Sequence, residues 1–150
     1  MKSSRMRSVF AMVLVTGLVT VGALPAHAKG LSKDVNPTVS YIREVDAMPR
    51  AWFGSTMVLY TTYETSTHYY DGNNVGIEMT CSSNASGTFN VTLMRIEGNS
   101  SASLGTAKFK RNGFTKATWE GVGPGAYYFV MSKPTDGRRV TSSDVAMYSW

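Results

Sequence analysis

Val75-Gly76-Ile77-Glu78-Met79-Thr80-Cys81 and Thr88-Phe89-Asn90-Val91-Thr92-Leu93 decide the fold class of this chain. Val75, Ile77, Met79 and Cys81 alternate with Gly, Glu and Thr in the first stretch, and Phe89, Val91 and Leu93 alternate with Thr and Asn in the second. A period of two puts successive side chains on opposite faces, so each stretch reads as a strand with one buried and one wet face. The turn-rich run Ser82 to Gly87 separates them.

Working outward, the same reading predicts strands at Val39 to Val45, Thr56 to Glu64, Leu104 to Lys110, Thr115 to Trp119, Ala126 to Ser132 and Val140 to Tyr148. Turn signals separate them at Asp71-Gly72-Asn73-Asn74, Glu97 to Ser101, Asn112-Gly113, Gly121 to Gly125 and Pro134 to Gly137. Seven to eight short strands at this spacing predict an all-β chain folded as a single antiparallel β-sandwich, with a small closed barrel as the competing arrangement. Ala126 to Ser132 is apolar on both parities, as a strand covered on both faces would be.

Asn112-Gly113 invites a hairpin, and parity selects its loop. A two-residue loop mixes polar and apolar residues on both faces. A three-residue loop, Arg111-Asn112-Gly113 with Gly113 at positive φ, collects Ala107, Phe109, Thr115, Ala117 and Trp119 on one face. That register sets Lys108 opposite Lys116, with Lys110 and Arg111 nearby, and makes these lysines a candidate patch for an anionic wall polymer or acidic glycan. It also predicts that Ala107, Phe109, Trp119 and Phe129 are buried, and Lys108, Lys110 and Lys116 exposed.

Trp119-Glu120-Gly121-Val122-Gly123-Pro124-Gly125-Ala126-Tyr127-Tyr128-Phe129 resembles the turn and Gly-x-Tyr strand of immunoglobulin-like and related secreted β-sandwich domains. The chain also closes on a Val-x-Met-Tyr-Ser strand. With the N-terminal segment described next, the layout is similar to small secreted immunoglobulin-like proteins of Gram-positive bacteria. The resemblance implies an immunoglobulin-like sandwich in which the tyrosine helps fix a corner. It carries over no catalytic residue.

Residues 1–28 read as a signal peptide: Lys2, Arg5 and Arg7 precede an apolar run from Val9 to Leu24, and Ala26-His27-Ala28 supplies small residues for cleavage. The expected product is a secreted domain, 29–150, with no lipid-anchor cysteine and no terminal apolar span. Three of the fifteen basic residues leave with the signal peptide, so twelve face ten acidic ones. A net charge near +2 does not predict nucleic acid as a partner. Cys81 is the single cysteine, which excludes an intramolecular disulfide.

The chemistry-bearing residues are sparse. His68 is the one histidine beyond residue 28, so no site with two imidazoles can form within one chain. Asp71-Gly72-Asn73-Asn74 lacks the alternating acids of a calcium loop. No metal or cofactor is expected, and the ten carboxylates follow no glycosidase-like spacing. Tyr60, Tyr63, His68, Tyr69 and Tyr70, set among threonines and serine, form the best candidate binding segment, since amphipathic rings suit sugars or a protein partner. Trp52-Phe53 could extend that surface or cap the sandwich.

The expected function is therefore that of a secreted, non-catalytic protein binding a cell-surface polymer, glycan or protein. A secreted inhibitor or toxin-like effector is the alternative, disfavoured because presented loops normally need the rigidity that disulfides give. Cys81 lies on the apolar parity of its strand, so native protein should resist a thiol reagent that labels it stoichiometrically once urea has unfolded the chain.

Overall fold

The computed structural model describes residues 35–43 and 49–150, and the expected signal peptide lies outside them. Ten strands and no helix occur among the described residues: β1 (Thr38–Ser40), β2 (Ala51–Leu59), β3 (Thr62–Glu64), β4 (His68–Tyr70), β5 (Val75–Ser83), β6 (Thr88–Glu97), β7 (Ser100–Lys110), β8 (Gly113–Trp119), β9 (Gly125–Ser132) and β10 (Val140–Ser149). They form two antiparallel sheets that do not close into a barrel. One has the order β1-β8-β5-β10-β2, and the other has the order β3-β9-β6-β7, with β4 also pairing with β9.

The pairings are nested. β6 pairs with β7 across the Gly98-Asn99 turn, β5 with β8, β3 and β4 with β9, and β2 with β10. The described chain from β2 to β10 is thus one long hairpin, rolled so that β10 also meets β5 and β9 also meets β6. This is the strand order of a jelly roll. The immunoglobulin-like order implied by the Gly-x-Tyr strand is not the one observed. In that fold several consecutive strands stay in one sheet, whereas from β4 onward this chain changes sheet at every connection except β6–β7.

Inward residues of the two sheets make one core. Met57, Ile77, Met79, Ala117, Trp119 and Met147 come from the first sheet, and Phe89, Leu93, Phe109, Tyr127, Phe129 and Met131 from the second. Trp119 meets Phe129 across the gap with ring centroids 5.7 Å apart, and Phe89 meets Phe109 at 5.8 Å. Alternation therefore reads correctly in β5, β6, β8 and β9, and Ala107, Phe109, Trp119 and Phe129 are buried as expected.

The pairing expected for β7 and β8 is corrected. Gly113 does take positive φ (+93°), but the chain crosses from one sheet to the other at Arg111-Asn112, and β7 and β8 face each other across the core. Lys108 sits opposite Asn90, while Lys116 sits between Glu78 and Ser40. The two lysines are not cross-strand partners, and Lys116 is half-buried, not exposed. The single strand expected over Thr56 to Glu64 is likewise two strands in different sheets, broken at Tyr60-Thr61, and the first of them starts at Ala51. The strand expected from Val39 is described only as Thr38–Ser40, and its predicted end at Val45 lies outside the described residues.

One acidic residue ties together three loops at the end of the sandwich where β5–β6, β7–β8 and β9–β10 connect. Asp136 accepts hydrogen bonds from Lys133 Nζ at 2.6 Å, from Arg111 Nη1 and from the Arg138 N–H at 3.0 Å. The Lys133 side chain is fully buried. Arg111 also reaches the carbonyl of Thr88, and its N–H donates to Gly87. The Lys133 ammonium first, then Arg111 and the Arg138 N–H, hold the Asp136 carboxyl well below the usual carboxylate range. A depressed folded value contributes stability above the unfolded pKa of about 4 and loses it as pH falls towards the folded value. Urea midpoints should accordingly show Asp136→Asn less stable than wild type at pH 7 and pH 5, with the gap narrowing below pH 4.

Candidate functional site

The tyrosine-rich segment does not form one surface. Tyr70 has 0% exposure and packs edge-on against Tyr127 at 5.9 Å and Phe53 at 5.3 Å. Tyr63 is half-buried, and its hydroxyl donates to the Thr56 carbonyl at 3.0 Å, which ties β3 back to β2. The half-buried His68 ring stacks on Phe53 at 4.0 Å and 13°. Only Tyr60 (57%) and Tyr69 (65%) are exposed. Thr62 pairs with Ser132 and Tyr69 with Ala126, so Thr62 and Tyr69 lie some 20 Å apart at roughly 3.3 Å per residue of strand, and Tyr60 stands in the β2–β3 break beyond Thr62. Of the three lysines, Lys108 and Lys110 are exposed, and the Lys110 ammonium rests 4.0 Å over the Tyr41 ring.

A different set of residues converges on the outer face of the five-stranded sheet. Trp52 on β2 is directly opposite Tyr148 on β10, which in turn is opposite Gly76 on β5. All three point outward, because Phe53 and Met147 beside them point in. The Trp52 indole lies across Gly54: a Cβ on Gly54 would stand 2.8 Å from the far edge of the ring. Likewise, a Cβ on Gly76 would stand 2.7 Å from the Tyr148 ring and 3.1 Å from that of Trp150. Glycine at these two positions lets the rings lie flat on the sheet. Trp52 remains 61% exposed, whereas Tyr148 is covered, with Trp150 at 5.7 Å and the Lys116 ammonium 5.9 Å from its ring.

Polar groups border the indole. A shallow open groove of about 330 Å³ beside Trp52 is lined by Arg43, Gly54, Glu78, Asp144 and Ala146 among others. Its floor is made of small residues. Asp144 stands where the β2–β10 register shifts between Ser142 and Val145, and it accepts from the Thr80 N–H at 2.8 Å, the Ser142 hydroxyl at 2.9 Å and Arg43 Nη2 at 3.1 Å. Desolvation pushes this carboxyl upward, but the donors from Thr80, Ser142 and Arg43 outweigh it and keep Asp144 ionised below its ordinary value. Arg43 also lies over the Phe114 ring at 4.8 Å. Glu78 is half-buried, with Oε2 3.5 Å from the Tyr148 hydroxyl. Desolvation, and next the Glu78 charge, raise that phenol.

The arrangement offers a flat aromatic face, a carboxylate and an anchored guanidinium–carboxylate pair within one groove. Trp52 had a signal in the sequence, as an aromatic two residues before a glycine on one strand parity. Tyr148, Glu78 and Arg43 had none, because strand pairing brings the first two beside it and the ion pair with Asp144 holds the third. Among the described residues no three His, Cys, Asp or Glu side chains group as metal ligands. Nor is any helix there long and apolar enough to cross a membrane. Comparisons with protein-family models, curated proteins and solved structures find no match to this chain.

Two buried tyrosines give opposite expectations. Tyr127 lies within hydrogen-bonding distance of the Val122 (2.8 Å) and Gly123 (2.7 Å) carbonyls, while the Tyr70 hydroxyl has no partner. Tyr127→Phe should cost about 1–3 kcal/mol by urea denaturation, because buried acceptors lose their donor, whereas Tyr70→Phe should be nearly neutral or stabilising.

Proposed function

We propose that this protein is exported by its N-terminal segment and acts as a non-catalytic binding protein, holding a surface glycan in the groove beside Trp52. The observation that carries this reading is a tryptophan 61% exposed yet laid flat on the sheet by Gly54, next to fixed polar groups. An indole held flat and open to solvent is a ready stacking face for a ring that is apolar on one side. A sugar ring presents an apolar C–H face to the indole and hydroxyls around its rim, which Glu78 can accept and Arg43 can donate to. The groove lies at the low end of ligand-site volumes, roughly 300–1,000 Å³, so it would hold one or two sugar units of a longer chain.

Binding is preferred to hydrolysis because a glycosidase needs one carboxyl kept protonated as acid, and the donors around Asp144 oppose that. The corner bond of Tyr127 supports kinship with secreted β-sandwich proteins in that one feature, while the strand order points to a jelly-roll framework.

The test is co-sedimentation of the mature chain with insoluble cell wall and a panel of polysaccharides. Trp52→Ala should weaken retention about tenfold, or roughly 1.4 kcal/mol, with the urea midpoint little changed, while Tyr69→Ala on the other sheet should bind as wild type. Equal retention of Trp52→Ala would remove the groove from the reading. Release of soluble sugar from the retained polymer would make the protein a hydrolase.

A further inference from the structure

The small net charge of the chain conceals a marked separation of charge along the strand axis. Five of the twelve basic residues beyond Ala28, namely Lys110, Arg111, Lys133, Arg138 and Arg139, lie in or beside the three loops joined by Asp136. Asp136 is the one acidic residue among them. The loops are cross-linked beyond that carboxylate: the Ser83 N–H donates to Asn112 Oδ1 at 2.8 Å, Asn112 Nδ2 donates to the Ala85 carbonyl at 3.0 Å, and the Ser83 hydroxyl donates to the Arg139 carbonyl at 2.8 Å. Asp71, Glu97 and Glu120 are exposed at the opposite end, where they outnumber Arg50 and the half-buried Arg95.

Within the basic end the charges divide into two kinds. Arg111 and Lys133 are buried and neutralised in part by Asp136, which fixes the loop Pro134–Gly137. Arg138 and Arg139 are exposed, and their side chains make no hydrogen bond or ion pair among the described residues; Lys110 is exposed at the end of β7, its ammonium 4.0 Å over the Tyr41 ring. Adjacent strands are about 4.8 Å apart and packed sheets about 10 Å, so these loops make a rigid basic edge only some 10 Å across. Like charges held together without partners lower stability, and an anionic ligand would relieve that cost.

We propose that this end is a docking surface for a flexible, linear, phosphate-bearing polymer of the cell envelope, at a place separate from the groove beside Trp52. Arg138 and Arg139 supply forked donors to phosphate oxygens, Lys110 adds a point charge, and the serine and asparagine groups of Ser82–Gly87 border them. A narrow edge suits a single flexible chain and is too small for the wide footprint of a duplex.

The experiment uses the mature chain and long-chain inorganic polyphosphate as probe, with double-stranded DNA and neutral dextran in parallel, read as retention on immobilised polymer. Arg138→Glu/Arg139→Glu should lose at least tenfold in binding while keeping its urea midpoint. Glu120→Lys, which makes the same chain more basic at the far end, should stay within twofold of wild type. Wild-type affinity should fall about fourfold for each doubling of salt, the dependence expected when three phosphates are neutralised on a single chain. Unchanged binding by the double reversal, or a gain by Glu120→Lys as large as the reversal's loss, would overturn the assignment. Duplex DNA bound as tightly as polyphosphate would overturn the choice of occupant. Loss of dextran or wall retention in Trp52→Ala leaves this result untouched, so the two surfaces are tested separately.

Discussion

The contact between Trp119 and Phe129 is the interaction on which the rest of this structure depends, because it joins the faces of two sheets that no disulfide ties together. Burying a large apolar side chain contributes roughly 1.5–3 kcal/mol, and the inward faces of β5, β6, β8 and β9 supply such residues in rows. The sandwich is stable only while both faces are covered. Every residue on the inner parity is therefore constrained, and residues on the outer parity are left for other uses.

Parity was legible and pairing was not. The alternation in Val75 to Cys81 and Phe89 to Leu93 shows which side chains are inside, and the structure agrees. Yet Ala107 and Phe109 share an interior with Thr115, Ala117 and Trp119 whether β7 and β8 lie side by side or face each other across the core. Hydrophobic period is blind to that choice. What decides it is the competition for partners: β6 takes the edge of β7, and β5 takes β8. Asn112 then joins neighbouring loops instead of completing a hairpin.

The candidate site was legible in even smaller part, for the same reason. Tyr and Thr crowd the segment Tyr60 to Tyr70 because they suit strands, and two of its four tyrosines are taken up by packing and a corner bond. The aromatic face that does form uses Trp52 and Tyr148, nearly a hundred positions apart and united by one antiparallel register. The glycines beneath them, Gly54 and Gly76, look in the sequence like ordinary weak points of strands, although their lack of a side chain is what allows the rings to lie down.

The nesting of strand pairs carries a consequence for time. Closing the innermost hairpin at Gly98-Asn99 is local and fast, but each outer pair must wait for a longer loop, and β2 cannot join β10 until nearly the whole domain lies between them. β10, the last of the ten strands, inserts between β5 and the edge strand β2. The emerging chain therefore stays open along that seam until its final strand is made. Such delay leaves two unpaired strand edges that must be kept apart until β10 arrives.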